Sequence, residues 1–137
     1  MIYSIDVEIV APVADTEVTD RVRDAIENLF PEAEIESHSA ELRGTAHSMD
    51  RFSERLHEQA ILEAARGQFF AGRDGNTISF RVKKQAAFRG VINFAVGGES
   101  ELGDIHIDVT VHEPDVESFI DHVAPPTEDG TPIDPNS

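Results

Sequence analysis

The sequence predicts a two-layer α/β sandwich, in which a mixed, largely antiparallel sheet carries helices on one face. Three observations lead to this class. Segments in which apolar and polar residues alternate recur along the chain, as strands with one buried face require. Two longer segments between them repeat apolar residues every three or four positions, as amphipathic helices do. Short connections join the last three predicted strands, which favours an antiparallel meander. The predicted order is β-α-β-α-β-β-β-α.

The chain begins with a predicted strand and a helix. Apolar and polar residues alternate over residues 3–9, and Pro12 ends the strand. Asp15 or Thr16 is predicted to cap the helix that follows, which ends ahead of Pro31 because the residue before a proline avoids the helical region. The apolar stripe of this helix consists of Val18, Val22, Ala25, Ile26 and Leu29.

A weaker strand and a long second helix come next. Residues 33–39 alternate loosely and predict the strand, whereas residues 40–47 fit either a continued strand or a loop at Gly44. The second helix is predicted from about residue 49 to residue 70, with Ser48 as its cap. Its later half is apolar over a wide arc with small side chains. This pattern predicts packing on two sides, by the sheet and by a third helix or a second subunit.

The last part of the predicted domain consists of three strands and a short helix. Residues 78–83 alternate, and their outward row is partly basic. Residues 91–96 are apolar almost throughout, which is typical of a strand covered on both faces. Residues 103–112 form the clearest alternation in the chain. Asp115 is predicted to cap the final helix.

The composition limits the class of protein. The length of 137 residues fits a single domain over residues 1–124, followed by a disordered acidic tail over residues 125–137. There is no cysteine, so disulfides and thiolate metal sites are excluded. No apolar run approaches the roughly 20 residues that span a bilayer, and the first residues lack the features of a signal peptide. We therefore expect a cytoplasmic protein with no membrane association.

The charge is strongly acidic, with 27 Asp and Glu against 11 Lys and Arg and a net charge of -16. A low pI of about 4.5, with arginines far outnumbering lysines, is typical of a very salty cytoplasm, since short carboxylates hold water and ions. The alternative is an acidic face that binds a basic partner or mimics nucleic acid. The carboxylates are scattered rather than grouped, which favours the halophile. At molar salt the Debye length is about 3 Å, so the net charge does not prevent nucleic-acid binding at a local basic site.

The scarce positive charge is concentrated in residues 81–94, which contain both lysines of the chain. Phe88 offers a ring on which a base can stack, and Gly90 lets a backbone approach closely. Basic side chains interleaved with an aromatic and a glycine are typical of surfaces that bind phosphates and stack bases. The candidate nucleic-acid-binding residues are Arg81, Lys83, Lys84, Gln85 and Arg89.

Two other interpretations of the charged residues stay open. The cations can instead pair with the chain's own carboxylates, such as Glu8, Asp104 and Asp108. Asp104, His106 and Asp108, with His112 further along, also suggest a metal-dependent hydrolase. However, residues two apart on a strand are separated by about 7 Å, so a single strand rarely chelates a metal alone. No catalytic motif or glycine-rich phosphate loop occurs, and we predict no enzyme, no cofactor and no metal.

A family resemblance rests on three short motifs, which are Lys84-Gln85-Ala86-Ala87 with Gly90, Asn93-Phe94, and Leu102-Gly103-x-Ile105. These motifs resemble the signature of a small archaeal family of uncharacterised proteins that is grouped by fold with RNA-binding proteins. The resemblance covers residues 2–123 by order of elements and is most specific over residues 83–105. It implies a fold similar to that of the ribosomal protein that holds 5S ribosomal RNA, a homodimer, and RNA as a partner.

The main hypothesis is therefore an RNA- or nucleic-acid-binding module of a halophilic archaeon. The first alternative is a structural or protein–protein interaction homodimer, in which residues 84–94 pack against the second copy. The second is the metal-dependent hydrolase. Burial separates the first two hypotheses: RNA binding needs the cations of the candidate site to be exposed and not neutralised by the chain's own acids.

Overall fold

The computed structural model describes residues 3–98, 103–128 and 131–132. No helix among them is long and apolar enough to cross a membrane. The elements in chain order are β1 (Ser4–Pro12), α1 (Thr19–Leu29), β2 (Glu34–His38), β3 (Glu41–Ala46), α2 (Asp50–Glu58), α3 (Leu62–Ala71), β4 (Arg73–Asp74), β5 (Thr77–Lys83), α4 (Lys84–Ala87), β6 (Asp104–Glu113), α5 (Val116–Val123), β7 (Thr127–Glu128) and β8 (Thr131–Pro132).

Six strands form one sheet in the order β2-β3-β1-β6-β5-β4, and every neighbouring pair is antiparallel. The predicted α/β sandwich is confirmed. The first strand lies in the middle of the sheet, because its alternating pattern pairs with β3 on one side and with β6 on the other. Cross-strand pairs such as Val7 with Val109 place apolar residues on one face.

The core lies between that apolar face and the helices. Phe52 of α2 is fully buried, and its ring centroid is 5.6 Å from those of Phe30 and Phe80 and 6.4 Å from those of Phe69 and Phe94. These aromatic rings connect α1, α2, α3 and the sheet. On β1, Ser4, Asp6 and Glu8 alternate with buried residues and are exposed, so the second face of the sheet is open along this part of the strand.

The predicted helix over residues 49–70 is two helices, and this part of the prediction is wrong. The chain leaves the helical path at Ala60, which has a φ of 56°. The backbone N–H of Ile61 donates to the carbonyl of Leu56, and α3 begins after it. Because the apolar stripe continues across the break, its spacing alone does not reveal the change of direction. The small residues Ala64 and Gly67 on the outer side of α3 are exposed in the single chain.

The prediction of a strand over residues 91–96 is also wrong. Phe94 forms only an isolated bridge with Val82. Two backbone hydrogen bonds, from Lys83 to Asn93 and from Ala95 to Arg81, run beside it without extending into a ladder. This apolar segment is not covered on both sides, since the valines at its two ends, Val91 and Val96, are exposed.

Of the other local predictions, some are confirmed and some are wrong. Asp115 caps α5 as expected, accepting a hydrogen bond of 2.8 Å from the backbone N–H three residues on. Ser48 accepts a hydrogen bond of 3.1 Å from the N–H two residues on, but the N-cap residue of α2 is Met49, so the predicted cap is wrong by one residue. The cap of α1 at Asp15 or Thr16 is wrong, because the helix begins at Thr19 without a side-chain cap. The ambiguous segment after β2 forms β3.

The predicted domain boundary at residue 124 coincides with the end of α5, where Ala124 is the C-cap residue. Beyond it, β7 and β8 form a separate two-stranded sheet. Residues 129–130 and 133–137 lie outside the described residues. The disordered acidic tail therefore stays a prediction.

Candidate nucleic-acid interface

The candidate site is the segment that leaves β5, and we call residues 83–92 the basic turn. The single helical turn α4 follows β5 directly, and the N–H of Phe88 still donates to the carbonyl of Lys84. Gly90 then reverses the chain with a φ of 71°, a conformation that L side chains rarely adopt. The N–H of Val91 closes the turn by donating to the carbonyl of Ala86.

Lys84 holds the basic turn from the inside. Its side chain is 1% exposed, and its Nζ lies 2.8 Å from Oε1 of Glu17, whose side chain is 8% exposed. The same Nζ donates to the carbonyl of Pro12. Glu17 Oε1 also accepts a hydrogen bond from the backbone N–H of Ala14. A buried ion pair therefore connects the start of α4 to the loop between β1 and α1.

Two amide side chains hold the rest of the basic turn. Asn28 of α1 donates to the carbonyls of Ala87 at 2.9 Å and Phe88 at 3.3 Å. Gln59 donates to the carbonyl of Ile92 at 2.9 Å and accepts from its N–H at 2.7 Å, as a neighbouring strand would. These anchors satisfy backbone groups that the irregular chain path leaves unpaired. The turn is thus fixed without belonging to a regular sheet.

The sequence predicts five binding residues, and the structure divides them into two groups. Lys83, Gln85 and Arg89 are exposed. Within the described part of the chain, none of these three side chains makes a hydrogen bond or an ion pair. Gln85 lies in α4, whereas Arg89 follows the C-cap residue Phe88, where the backbone N–H of Arg89 donates to the carbonyl of Ala86.

Arg81 and Lys84 are the other group, and both are neutralised by the chain's own acids. Arg81 Nη1 lies 3.2 Å from Oδ2 of the buried Asp104, and its Nη2 donates to the carbonyl of Gly97 at 2.6 Å. Lys84 is buried with Glu17. For these two residues the ion-pair interpretation fits the structure, and Asp104 was among the partners that it named. We therefore remove Lys84 from the contact surface and assign Arg81 a supporting role.

The eleven cations of the chain also divide, within the described residues, into paired and unpaired groups. Seven of the eleven Lys and Arg side chains form an ion pair with a described carboxylate. Over residues 3–98, 103–128 and 131–132, no such carboxylate lies within ion-pair distance of the other four. Those four are Arg21, Arg23, Lys83 and Arg89. Lys83 and Arg89 belong to the basic turn, and Arg21 lies against it at Phe88. The basic turn therefore keeps positive charge in an acidic protein.

Sequence reasoning missed Arg21. Its guanidinium carbon lies 5.4 Å from the centre of the Phe88 ring, although the two residues are far apart in the chain. Arg21 and Asn28 are seven positions apart on α1, about two helical turns, so both face the basic turn. The helical spacing from Arg21 to Asn28 was present in the sequence. What it lacked was any indication that this face of α1 meets residues 87 and 88.

The histidine and carboxylate row of β6 does not form a metal site in the described residues. Asp104 is buried beside Arg81, and Asp108 accepts a hydrogen bond of 2.6 Å from the hydroxyl of Ser79. His106 lies opposite Arg81 in the sheet register. The described part of the chain contains no group of three acidic or histidine side chains placed to hold a metal ion.

A second charged cluster lies on the open face of the sheet, away from the basic turn. Asp6 Oδ2 is 2.7 Å from Nε2 of His112, and its Oδ1 is 3.0 Å from Nδ1 of His47. The hydrogen bond from His112, and then the positive charge of both rings, holds the pKa of Asp6 below its ordinary value of 3.8. The cluster connects β1 to β6 and to the end of β3.

This cluster predicts a specific acid sensitivity. A depressed pKa means that the Asp6 contribution to stability is present above pH 3.8 and is lost as the pH falls through the pKa of the folded state. Asp6→Asn should therefore lose less stability than the wild type when the pH falls from neutrality to below 3.8. Denaturant unfolding at the two pH values measures this difference. Glu8→Gln on the same strand is the control, and identical pH dependence of Asp6→Asn and wild type would contradict the prediction.

Comparison with known proteins places the chain in a family. A family model described as RNA binding matches residues 6–112. A UPF0201 protein of Methanopyrus kandleri is 40% identical over 86% of this chain and 83% of its own length. A UPF0200/UPF0201 protein of Archaeoglobus fulgidus is 37% identical over 95% of this chain, which spans only 40% of that longer protein. The crystal structure of a UPF0201 protein from Methanococcus jannaschii superposes with a TM-score of 0.86 at 33% identity, covering 94% of this chain and 99% of that one.

The match of the family model extends over most of the domain and includes the whole basic turn. The archaeal relatives confirm the predicted membership of an uncharacterised archaeal family. By sequence and by fold, this chain belongs to the archaeal UPF0201 family, and a family model described as RNA binding matches most of it.

Proposed function

We propose that the protein binds RNA through the exposed side of the basic turn and catalyses no reaction. Lys83, Gln85 and Arg89 are the contact residues. The observation that carries the proposal is the distribution of unneutralised charge. In a chain of net charge -16, three of the four cations without a described carboxylate partner lie in this turn or against it. The description of the matching family model, RNA binding, supports the same class of ligand.

The chemistry of the three side chains suits RNA. The Arg89 guanidinium can bind a phosphate by donating two parallel hydrogen bonds, and the Lys83 ammonium adds a compact positive charge. The Gln85 amide both donates and accepts, as the edge of an exposed base requires. Because these side chains stand on an anchored turn, little backbone ordering is needed on binding.

Arg81 and Lys84 act behind the contact surface. Arg81 connects β5 to Gly97 and to the buried Asp104. Lys84 connects α4 to Glu17. In this proposal they position the turn and do not touch the RNA.

The proposal includes a salty cytoplasm as the working environment. Its support is the excess of carboxylates and the low pI of about 4.5. At molar salt the Debye length of about 3 Å leaves only contact-range electrostatics, so the surrounding acids do not keep RNA away from the basic turn. We also propose that the fold is similar to that of the ribosomal protein that holds 5S ribosomal RNA, and that the protein is a homodimer. A second copy that covers Gln85 and Arg89 would favour the interaction-protein alternative, and the mass of the assembly with and without RNA distinguishes the two.

A charge reversal tests the proposal. Lys83→Glu with Arg89→Glu should weaken binding of a structured RNA in molar KCl at least about tenfold, because two charge-assisted contacts become repulsive. Fluorescence anisotropy of the labelled RNA measures the affinity. The matched control is Arg43→Glu with Arg51→Glu, which changes the net charge equally at cations that already pair with Glu41 and Glu54. Equal affinity in the test variant and the wild type would remove the assigned site.

A further inference from the structure

We infer that the RNA taken by this site is unpaired, and that one of its bases stacks on the Arg21–Phe88 pair. The inference rests on the proposed function and names its ligand class. The pair, which we call the stacking platform, consists of the Arg21 guanidinium of α1 and the Phe88 ring of the basic turn, 5.4 Å apart. Bases in single-stranded RNA stack on aromatic rings and on guanidinium planes, whereas a duplex keeps its base faces inside the helix.

Backbone hydrogen bonds and core packing hold the Phe88 side of the stacking platform. The carbonyl of Phe88 accepts a hydrogen bond from Asn28, and its N–H donates to Lys84. Its side chain packs partly against the core, which fixes one side of the ring. Arg21 is exposed, so the guanidinium lies on the solvent side of the platform. Because the backbone of Phe88 is already anchored, a base that stacks here does not have to order it.

A second arginine–phenylalanine pair differs from the stacking platform in the contacts of its guanidinium. Arg66 lies over Phe70 at 5.3 Å. However, Arg66 donates to Oδ1 of Asp121 at 2.7 Å and to the carbonyl of Ala124 at 3.0 Å, so its guanidinium is engaged within the chain. Arg21 makes no hydrogen bond or ion pair with any described residue. Of these two pairs, the stacking platform is the one whose cation is available to a ligand.

The local charge also favours an unpaired strand. Asp20, Asp24 and Glu27 are exposed on the same helix as Arg21. A duplex presents the phosphates of two strands at high density, and some of them would meet these carboxylates. A flexible strand can direct its bases to the platform and its phosphates to the few cations. With three cations in contact, the salt dependence should be shallow, with log K falling against log salt by a slope of about -2.

The test compares a labelled single-stranded RNA of about ten nucleotides, within the usual site size, with the same strand in a duplex. The single strand should bind more tightly to the wild type. Phe88→Leu should weaken binding of the single strand by about 5- to 150-fold, the range for losing one stacked base, and leave the duplex unaffected. Phe70→Leu, at the Arg66–Phe70 pair, is the matched control and should bind as the wild type does.

Arg21→Lys separates stacking from charge. It keeps the positive charge and loses the planar group, so it should also weaken binding of the single strand. Arg23→Lys on the same helix is its control. Because Arg21 is exposed, this variant tests the platform even if Phe88→Leu proves unstable in thermal unfolding.

The outcomes separate the two proposals. If the Lys83 and Arg89 reversals abolish binding while Phe88→Leu and Arg21→Lys leave it unchanged, the stacking platform is wrong and the RNA site stands. Duplex binding as tight as single-strand binding also overturns the inference. If neither RNA binds to the wild type, both the inference and the proposed function fail.

Discussion

Lys84→Met is expected to lower the free energy of unfolding by about 3–5 kcal/mol, the usual cost of leaving one partner of a buried ion pair without its counter-charge. The Lys84 side chain is 1% exposed, and Glu17, its partner at 2.8 Å, is 8% exposed. Methionine fills most of the volume of the lysine stem. The expected loss therefore comes from the uncompensated Glu17 carboxylate, and chemical denaturation in molar KCl measures it.

Lys83→Met is the matched control, since the same substitution one position earlier removes an exposed lysine. It should change the free energy of unfolding by no more than about 0.5 kcal/mol. The double variant Lys84→Met with Glu17→Leu removes both charges and should be more stable than Lys84→Met alone. If Lys84→Met unfolds like the wild type, the ion pair does not hold the basic turn, and the preorganisation that we assign to the RNA site is wrong.

Phe52→Ala is expected to cost about 3–5 kcal/mol of unfolding free energy. Phe52 is fully buried, and four other phenylalanine rings lie within 6.4 Å of it, centroid to centroid. Removing the ring leaves a cavity that α1, α2, α3 and the sheet all border, so no single element can move in to fill it. Thermal and denaturant unfolding measure the loss.

Phe70→Ala is the control, because Phe70 is 41% exposed and its removal leaves no enclosed cavity. The RNA affinity of folded Phe52→Ala, measured well below its melting temperature, should match the wild type, since Phe52 lies in the core and the contact residues are on the surface. A loss of stability in Phe70→Ala equal to that in Phe52→Ala would contradict the assignment of the core.

The sequence alone predicted the fold class and most strands, because alternation with a period of two depends only on which side chains avoid water. β1 and β6 carried that signal clearly, and both are central strands with one buried face. The break between α2 and α3 at Ala60 left no such signal, since the apolar stripe runs through it. The segment after Gly90 was predicted as a strand because its residues are apolar. The structure uses it as an irregular return that Gln59 holds at Ile92.

For the candidate site, the sequence located the segment but not the side chains that face solvent. Lys83 and Lys84 are adjacent and chemically identical, yet one is exposed and the other is buried with Glu17. Their difference depends on the exact residue at which β5 becomes α4, and on a carboxylate far away in the chain. Arg21 joins the site for the same kind of reason, since only the packing of α1 on the basic turn brings it to Phe88.

The sequence by itself determined an acidic α/β sandwich with four of its eleven cations in one segment, because composition and periodicity are properties of the chain. Only the tertiary structure decided which cations pair with the protein's own acids and which have no carboxylate partner among the described residues. Ion pairs form between residues that folding brings together, and their spacing in the sequence does not reveal them.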